Sequence, residues 1–401
     1  MGLIFLLLKI ISFLLSKSAF STSNLVLLAI TYLFYFGQFG VLMPYLGVFL
    51  DGRGFSSTEI GELFALITVA RIAGPNLWAT LADKTGSALK VLQLGALLTF
   101  VAFCLIFFMH DFWTLTLSLA LMMMFWTAIL PQIEGLTLTC VHGHANRYGR
   151  IRLWGSIGFI VLTVFTGKMI DLYSSEAPII VGAVILFSLF VVTLFLQEPT
   201  QEKITESHQH SIWTKINTPV FYSFLISAAL LQLSFGAYYG FFALYLIDLG
   251  YSGQTTGWLI ALGVIAEIII FLKAGKLINW LGVKWILVLS LLLTALRWYL
   301  LAVIASNPII LIFSQALHAF SFGMTHAASM HFIHHYFEKQ FQSQGQAMYL
   351  SVGFGLGGAA GGYGAGYFWQ QGQGAELTFT LAAITAVLAA ISLLFVSSKR
   401  M

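Results

Sequence analysis

The sequence predicts an all-α membrane protein, with about twelve transmembrane helices in two pseudo-symmetric six-helix bundles. Three observations predict it. Of the 401 residues, 59% are hydrophobic and only 8% charged, where a soluble domain carries about 25% charged residues. The apolar residues come in runs of about 20, the length that crosses a hydrocarbon core of about 30 Å. The runs are continuous rather than alternating, which excludes a barrel. The chain also repeats itself at a shift of 196 positions. "GFSSTEIGELFALITVARIAG" lies over "GYSGQTTGWLIALGVIAEIII" without a gap, Gly54 on Gly250, Ser56 on Ser252 and Gly61 on Gly257. Further along, Asp83 and Gly86 fall on Asn279 and Gly282.

The opening "MGLIFLLLKIISFLLSK" is a short apolar run broken by Lys9. It lacks a basic n-region and a clear A-x-A site, so residues 1–23 read as an interfacial leader. The first bundle, 24–196, holds predicted helices at 24–50, 58–81, 89–109, 112–139, 151–171 and 177–196. The longest polar segment, "QEPTQEKITESHQHSIWTKINTP", supplies a cytoplasmic linker over 197–217. The second bundle, 218–396, holds helices at 218–247, 255–278, 283–305, 307–335, 343–369 and 375–396, followed by a tail at 397–401. With both termini in the cytoplasm, Lys84, Lys90, Arg147, Arg150, Lys203, Lys215, Lys273, Lys276, Lys284, Lys339, Lys399 and Arg400 fall on or near that side. Only Arg53 and Lys168 fall on the other, as the positive-inside rule requires.

Several function classes drop out. The net charge of +4 sits mainly at helix ends and makes no nucleic-acid surface. No G-x-x-x-x-G-K-[ST] is present, so no ATP-driven pump and no bound cofactor are expected. Cys104 and Cys140 both fall in or at apolar runs and do not suggest a disulfide framework. "HFIHH" (331–335) lacks companion histidine boxes and reads as a histidine-rich helix end near Glu338 and Lys339, not as a metal centre. An enzyme is therefore not expected. Two parallel six-helix repeats are a transporter plan, with the substrate near the midplane.

The loops "LADKTGSALK" (81–90) and "GKLINWLGVK" (275–284) resemble the G-x-x-x-D-[RK]-x-G-x-[RK] loop of the major facilitator superfamily. Ala79 replaces the leading glycine of the first copy, and Asn279 the acid of the second. The resemblance gives Asp83, Lys84, Gly86, Asn279, Gly282 and Lys284 a conformational-loop role in which acid and base bridge helix ends. "LPQIEGLTLTCVHGHANRYGRIRLWGSIGF" (130–159) resembles the helix 4–5 hairpin of lactose permease-type oligosaccharide/proton symporters, with Glu134 and Arg152 at the substrate-binding positions. Arg297 in "TALRWYL" and His318 in "ALHAF" match a helix 9 arginine and a helix 10 histidine of that group. The proton-carrying helix 10 carboxylate of that group corresponds to Ser321 here, and its sugar-stacking tryptophan to Phe159. The chain is more similar to the 3-phenylpropionate permease-like branch, through 237–271, "YGRIRLWGSIGF", "LRW" and "LHAFSFGMTHAASM". The resemblance implies the major facilitator fold, alternating access and a bacterial inner membrane.

Within the spans the charged residues are Arg71, Glu134, Glu267 and Arg297, with Arg152 near a membrane edge. Such residues face the bundle interior or an aqueous cavity and pair with one another. Arg71 lies over Glu267 in the repeat register. The proton-coupling candidates are Glu267 and Glu134, with His318 and His326 as titratable companions. The substrate candidates are Arg152, Arg297, Arg71 and Glu134, lined by Tyr35, Tyr239 and Trp126. Either Arg297 or Arg152 could partner Glu267. Glu134 and Arg152 match in depth if their turn is off-centre, nearer Arg147. Arg71 is expected beside the glycine-rich "SVGFGLGGAAGGYGAGYFW" (351–369), which reads as a packing and rocking surface. Together these residues predict a monomeric, proton-coupled symporter of a small organic anion, an aromatic monocarboxylate first. Sugar or nucleoside/proton symport is the alternative.

Overall fold

The structure, a computed structural model, describes residues 22–198 and 216–396. Most of the expected leader, most of the linker and the whole tail lie outside the described residues, as does the side chain of Asp83. The described chain contains helices and no strand. In order they are α1 (Thr22–Leu42, continuing as Leu46–Gly52), α2 (Ser57–Thr85), α3 (Ala88–Cys104), α4 (Phe112–Trp126 and Ile129–Cys140), α5 (Ala145–Leu172) and α6 (Ala177–Thr193). Then come α7 (Pro219–Ser234 and Gly236–Asp248), α8 (Gly253–Leu281), α9 (Val283–Ile304) and α10 (Pro308–Ala316, then Thr325–Tyr336). The last two are α11 (Gln342–Tyr349, then Gly358–Trp369) and α12 (Ala375–Leu394). π-helical stretches, Ala319–Met324 and Leu350–Gly357, interrupt α10 and α11.

Among the described residues, 9 helices are long and apolar enough to cross a membrane. α2 is not among that set; its charged residues Glu59, Glu62 and Lys84 lie toward its two ends. α6 is apolar but shorter. α5 starts earlier than the sequence suggests, because Arg147 and Arg150 extend its first turns beyond the apolar run.

The repeat is visible in the backbone. Gly54 and Gly250 share a φ of 85° and 86°, and Gly86 and Gly282 are also left-handed, at 63° and 80°. Only glycine takes that conformation without strain, so the same turn opens and closes α2 and α8. Each of these helices also has a serine at its start. Ser56 forms a capping box with Glu59, whose carboxylate accepts from the Ser56 amide at 2.8 Å. Ser252 accepts from the Thr255 amide at 3.1 Å.

The chain forms two compact units. Among the described residues, unit 1 comprises 22–45 and 70–198, and unit 2 comprises 46–69 and 216–396. Residues 46–69 pack within unit 2. In unit 1, α1 lies directly on α5. A Cβ on Gly158 would strike the Leu33 backbone, and Tyr45 donates its hydroxyl to the Thr163 carbonyl at 3.0 Å. In unit 2, glycines of α11 meet backbone directly: Gly357 abuts Ala229, Gly361 abuts Leu233, and Gly366 abuts Gly61.

One contact recurs at the repeat register with its chemistry reversed. After α6, the Glu198 carboxylate accepts from the Ser87 hydroxyl and from the Leu89 amide at 3.2 Å, capping the start of α3. At the start of α9, buried Lys284 donates to the carbonyls of Leu394 at 3.1 Å and Val396 at 2.5 Å, capping the end of α12. Acid on helix amides and base on helix carbonyls both complement the helix dipole.

Candidate functional site

The polar residues of unit 2 form one connected line. Glu267 projects from α8, and its carboxylate lies 2.6 Å from His318 Nε2. On the other side of the ring, Arg297 of α9 donates Nη1 to His318 Nδ1 at 2.8 Å. Gln315, one turn before His318, accepts from Arg297 Nη2 at 3.4 Å and from the Tyr238 hydroxyl of α7 at 3.2 Å. Arg297 is fully buried, its guanidinium 4.4 Å from the Tyr238 ring centroid and 4.3 Å from that of Trp298. Two glycines make the space. A Cβ on Gly263 of α8 would sit 3.1 Å from the His318 ring, and one on Gly323 of α10 would sit 3.4 Å from Glu267 Cγ. Each helix thus carries a glycine opposite the other's functional side chain.

This geometry fixes the imidazole's protonation pattern. A guanidinium only donates, so His318 Nδ1 accepts and the ring proton sits on Nε2, where it donates to Glu267. An imidazolium would point Nδ1–H at an Arg297 N–H, so a second proton cannot rest on the ring while the arginine contact holds. Of the two expected partners for Glu267, Arg297 acts through His318 rather than by direct contact, and Arg152 belongs to unit 1. Ser321 is buried and donates to the Leu317 carbonyl at 3.2 Å. Tyr239 stacks on Phe235 at 5.4 Å.

In unit 1, the α4–α5 turn is centred on His142 and Gly143, both left-handed. Gly143 is the sequence midpoint of Glu134 and Arg152, so the two match in depth with the turn centred, not displaced toward Arg147. They are not joined directly. Tyr148 donates to Glu134 at 3.3 Å, while the Arg152 guanidinium lies 3.8 Å over the Phe36 ring centroid. Buried Tyr35 stacks on Trp126 at 4.2 Å and 13°. Arg71 and Arg152 are half-buried, and neither has an ion-pair partner among the described residues. Within unit 2, α2 meets α11 at Ser57, Gly61, Phe64 and Thr68, whereas Arg71 belongs to unit 1.

Lys84 and Asn279 are exposed, and Gly86 and Gly282 shape their turns. His331 and His335 stack at 4.0 Å, and no group of three metal-ligating residues occurs among the described residues. Sequence reasoning missed Gln315, Tyr148, Phe36 and the paired glycines. A lone amide three residues before His318 was the available signal for Gln315. The glycine pairing carries none, because it depends on how the helices face.

Comparisons with known proteins agree with this architecture. The MFS_1 like family model matches residues 25–381. The "Probable 3-phenylpropionic acid transporter" of Escherichia coli (strain K12) is 30% identical over 311 residues, covering 76% of this chain and 81% of that protein. The maltose permease of Geobacillus stearothermophilus is 30% identical over 288 residues, covering 69% and 70%. Among solved structures, a variant of the nucleoside transporter NupG superposes with a TM-score of 0.85 at 18% identity, covering 92% of this chain and 99% of that one. The helices, the repeat and the buried charges thus have one common setting: the chain belongs to the MFS_1 like family and is a multi-span membrane transporter of the major facilitator fold, not an enzyme.

Proposed function

We propose that the protein is a proton-coupled symporter of a small organic anion, first of all an aromatic monocarboxylate of the 3-phenylpropionate kind. The observation that carries this reading is the line Glu267–His318–Arg297. Its carboxylate rests on a neutral imidazole and not on a guanidinium. With Glu267 ionised, the three side chains sum to zero charge. A proton arriving at Glu267 converts the carboxylate to an acid, weakens the charge-assisted bond from His318, and leaves the cluster with the charge of Arg297. Uptake of an anion offsets that charge.

Arg297 is too buried to meet a solute directly. Arg152 and Arg71 are half-exposed and lack acid partners, and arginine binds carboxylate bidentately. The stacked Tyr35 and Trp126 offer an aromatic face beside them. The relative named for 3-phenylpropionic acid supports the same solute class. Alternating access links the two units' events, in a monomer with both termini cytoplasmic.

Sugar or nucleoside/proton symport is the second reading. Glu134, whose carboxylate accepts from Tyr148, is a ready acceptor for hydroxyl groups, and similar proteins are named for maltose and nucleosides. Uptake into proteoliposomes under an imposed pH gradient separates the readings. We expect 3-phenylpropionate to accumulate, and Glu267→Gln to lose accumulation while keeping exchange. Accumulation of maltose or a nucleoside instead selects the second reading. Wild-type protein indifferent to the gradient with all three solutes overturns both.

A further inference from the structure

His326 lies two turns beyond His318 on α10 and takes no part in the line described above. Its Nδ1 is buried without a hydrogen-bond partner, a costly condition for a polar atom. The π-helical stretch Ala319–Met324 sets three rings in a column. His318 lies parallel to Phe322 at 5.9 Å, and Phe322 parallel to His326 at 6.1 Å. Gly323 falls between the two histidines, and a Cβ there would meet Ile270 Cγ2 at 2.9 Å and Glu267 Cγ at 3.4 Å. A side chain at 323 would occupy the room through which the carboxylate could swing.

Other titratable groups bear on the same space. Arg297 of α9 lies beyond His318 and pins that ring. Tyr238 of α7 packs on His318. Tyr349 of α11 flanks His326 at 6.3 Å. None of these hydrogen-bonds to His326 Nδ1.

We propose that Glu267 has two imidazole docking positions: His318, occupied in this structure, and His326, reached by rotation of the carboxylate arm over Gly323. The movement transfers the carboxyl group from one end of the ring column to the other. When Glu267 carries a proton, its O–H donates to the free His326 Nδ1, a bond that His318 cannot accept because Arg297 already fills its Nδ1. His326 is thus a positioning residue for the proton carrier. The inference rests on Glu267 being that carrier.

Infrared titration of the purified protein in lipid tests it without a transported solute. The carbonyl stretch of protonated Glu267 is assigned by its loss in Glu267→Gln. We expect two carboxyl environments in wild-type protein, with one lost in His326→Phe, which keeps the ring column but removes the nitrogen. His326→Asn, which restores a polar group near Nδ1, brings it back. A spectrum in which His326→Phe matches wild type overturns the proposal, as does a single carboxyl environment in wild type. Absence of any band sensitive to Glu267→Gln across the titration fails the carrier assignment instead, and the uptake assay reads that reading separately.

Discussion

Arg297 shows how one buried cation organises its surroundings. It touches no carboxylate directly, yet it is fully buried. Three aromatic rings, Phe235, Tyr238 and Trp298, and hydrogen bonds from its two Nη atoms stand in for water, while its Nε is buried without a partner; each ring contributes about 0.5–2 kcal/mol. Its main effect is on His318, whose tautomer it fixes. Arg297→Met leaves the His318 Nδ1 without its donor, while Gln315 keeps the Tyr238 hydroxyl; an unsatisfied buried group costs about 1–3 kcal/mol. We expect a lower thermal midpoint in detergent and weaker proton-driven accumulation, whereas a shape-only role would leave accumulation intact. Asp111 is a residue-scale case outside the membrane. Its carboxylate caps α4 by accepting from Thr114, and those bonds hold it below its ordinary value of 3.8. A lowered folded value means the cap contributes fully above that ordinary value and is lost as pH falls through the folded one. Amide exchange at the start of α4 is expected to rise in that acid window in wild type, and to show no such acid step in Asp111→Asn.

At the scale of elements, the ends of the third and sixth helix of each repeat are tied together by opposite means. Glu198 caps α3 in unit 1, and Lys284 caps α12 in unit 2. Removing the first cap, Glu198→Ala, should cost about 0.5–2 kcal/mol. Removing the second, Lys284→Met, leaves two carbonyls without a donor and should cost about 1–3 kcal/mol. The two sites lie in different compact units, so their effects on thermal stability should add within about 0.5 kcal/mol. A clear departure from additivity would show that the caps are coupled. The π-helical stretches in α10 and α11 belong to this scale too. Such segments gather at functional sites, and the one in α10 sets the angle between His318 and His326.

For the whole molecule, the expectation that remains open to direct test is orientation. The Lys and Arg pattern places the Arg53 turn outside and the Lys84 turn inside. A membrane-impermeant thiol reagent should label Arg53→Cys but not Lys84→Cys in intact cells, and the reverse in inverted vesicles. The native thiols interfere little: Cys140 is buried and Cys104 half-buried. Labelling of both turns from one side would reject the assignment.

Much of this protein was determined locally. Run length and hydropathy set the spans, because a bilayer demands about 20 apolar residues of each helix. Gly54, Gly86, Gly250 and Gly282 were signals for their turns, because the left-handed region favours glycine. The rarity of charge within spans marked Glu267, Arg297 and Glu134 before any geometry was known. What each of them touches was decided only in three dimensions. Hydropathy gives no rotation of a helix about its axis, so Arg297 could not be seen to stop at His318. Nor could the α4–α5 turn be placed, because "HGH" reads equally as helix end or loop. The opposition of Gly263 to His318 and of Gly323 to Glu267 exists only once α8 and α10 are packed. A glycine's use there depends on what the neighbouring helix brings to it.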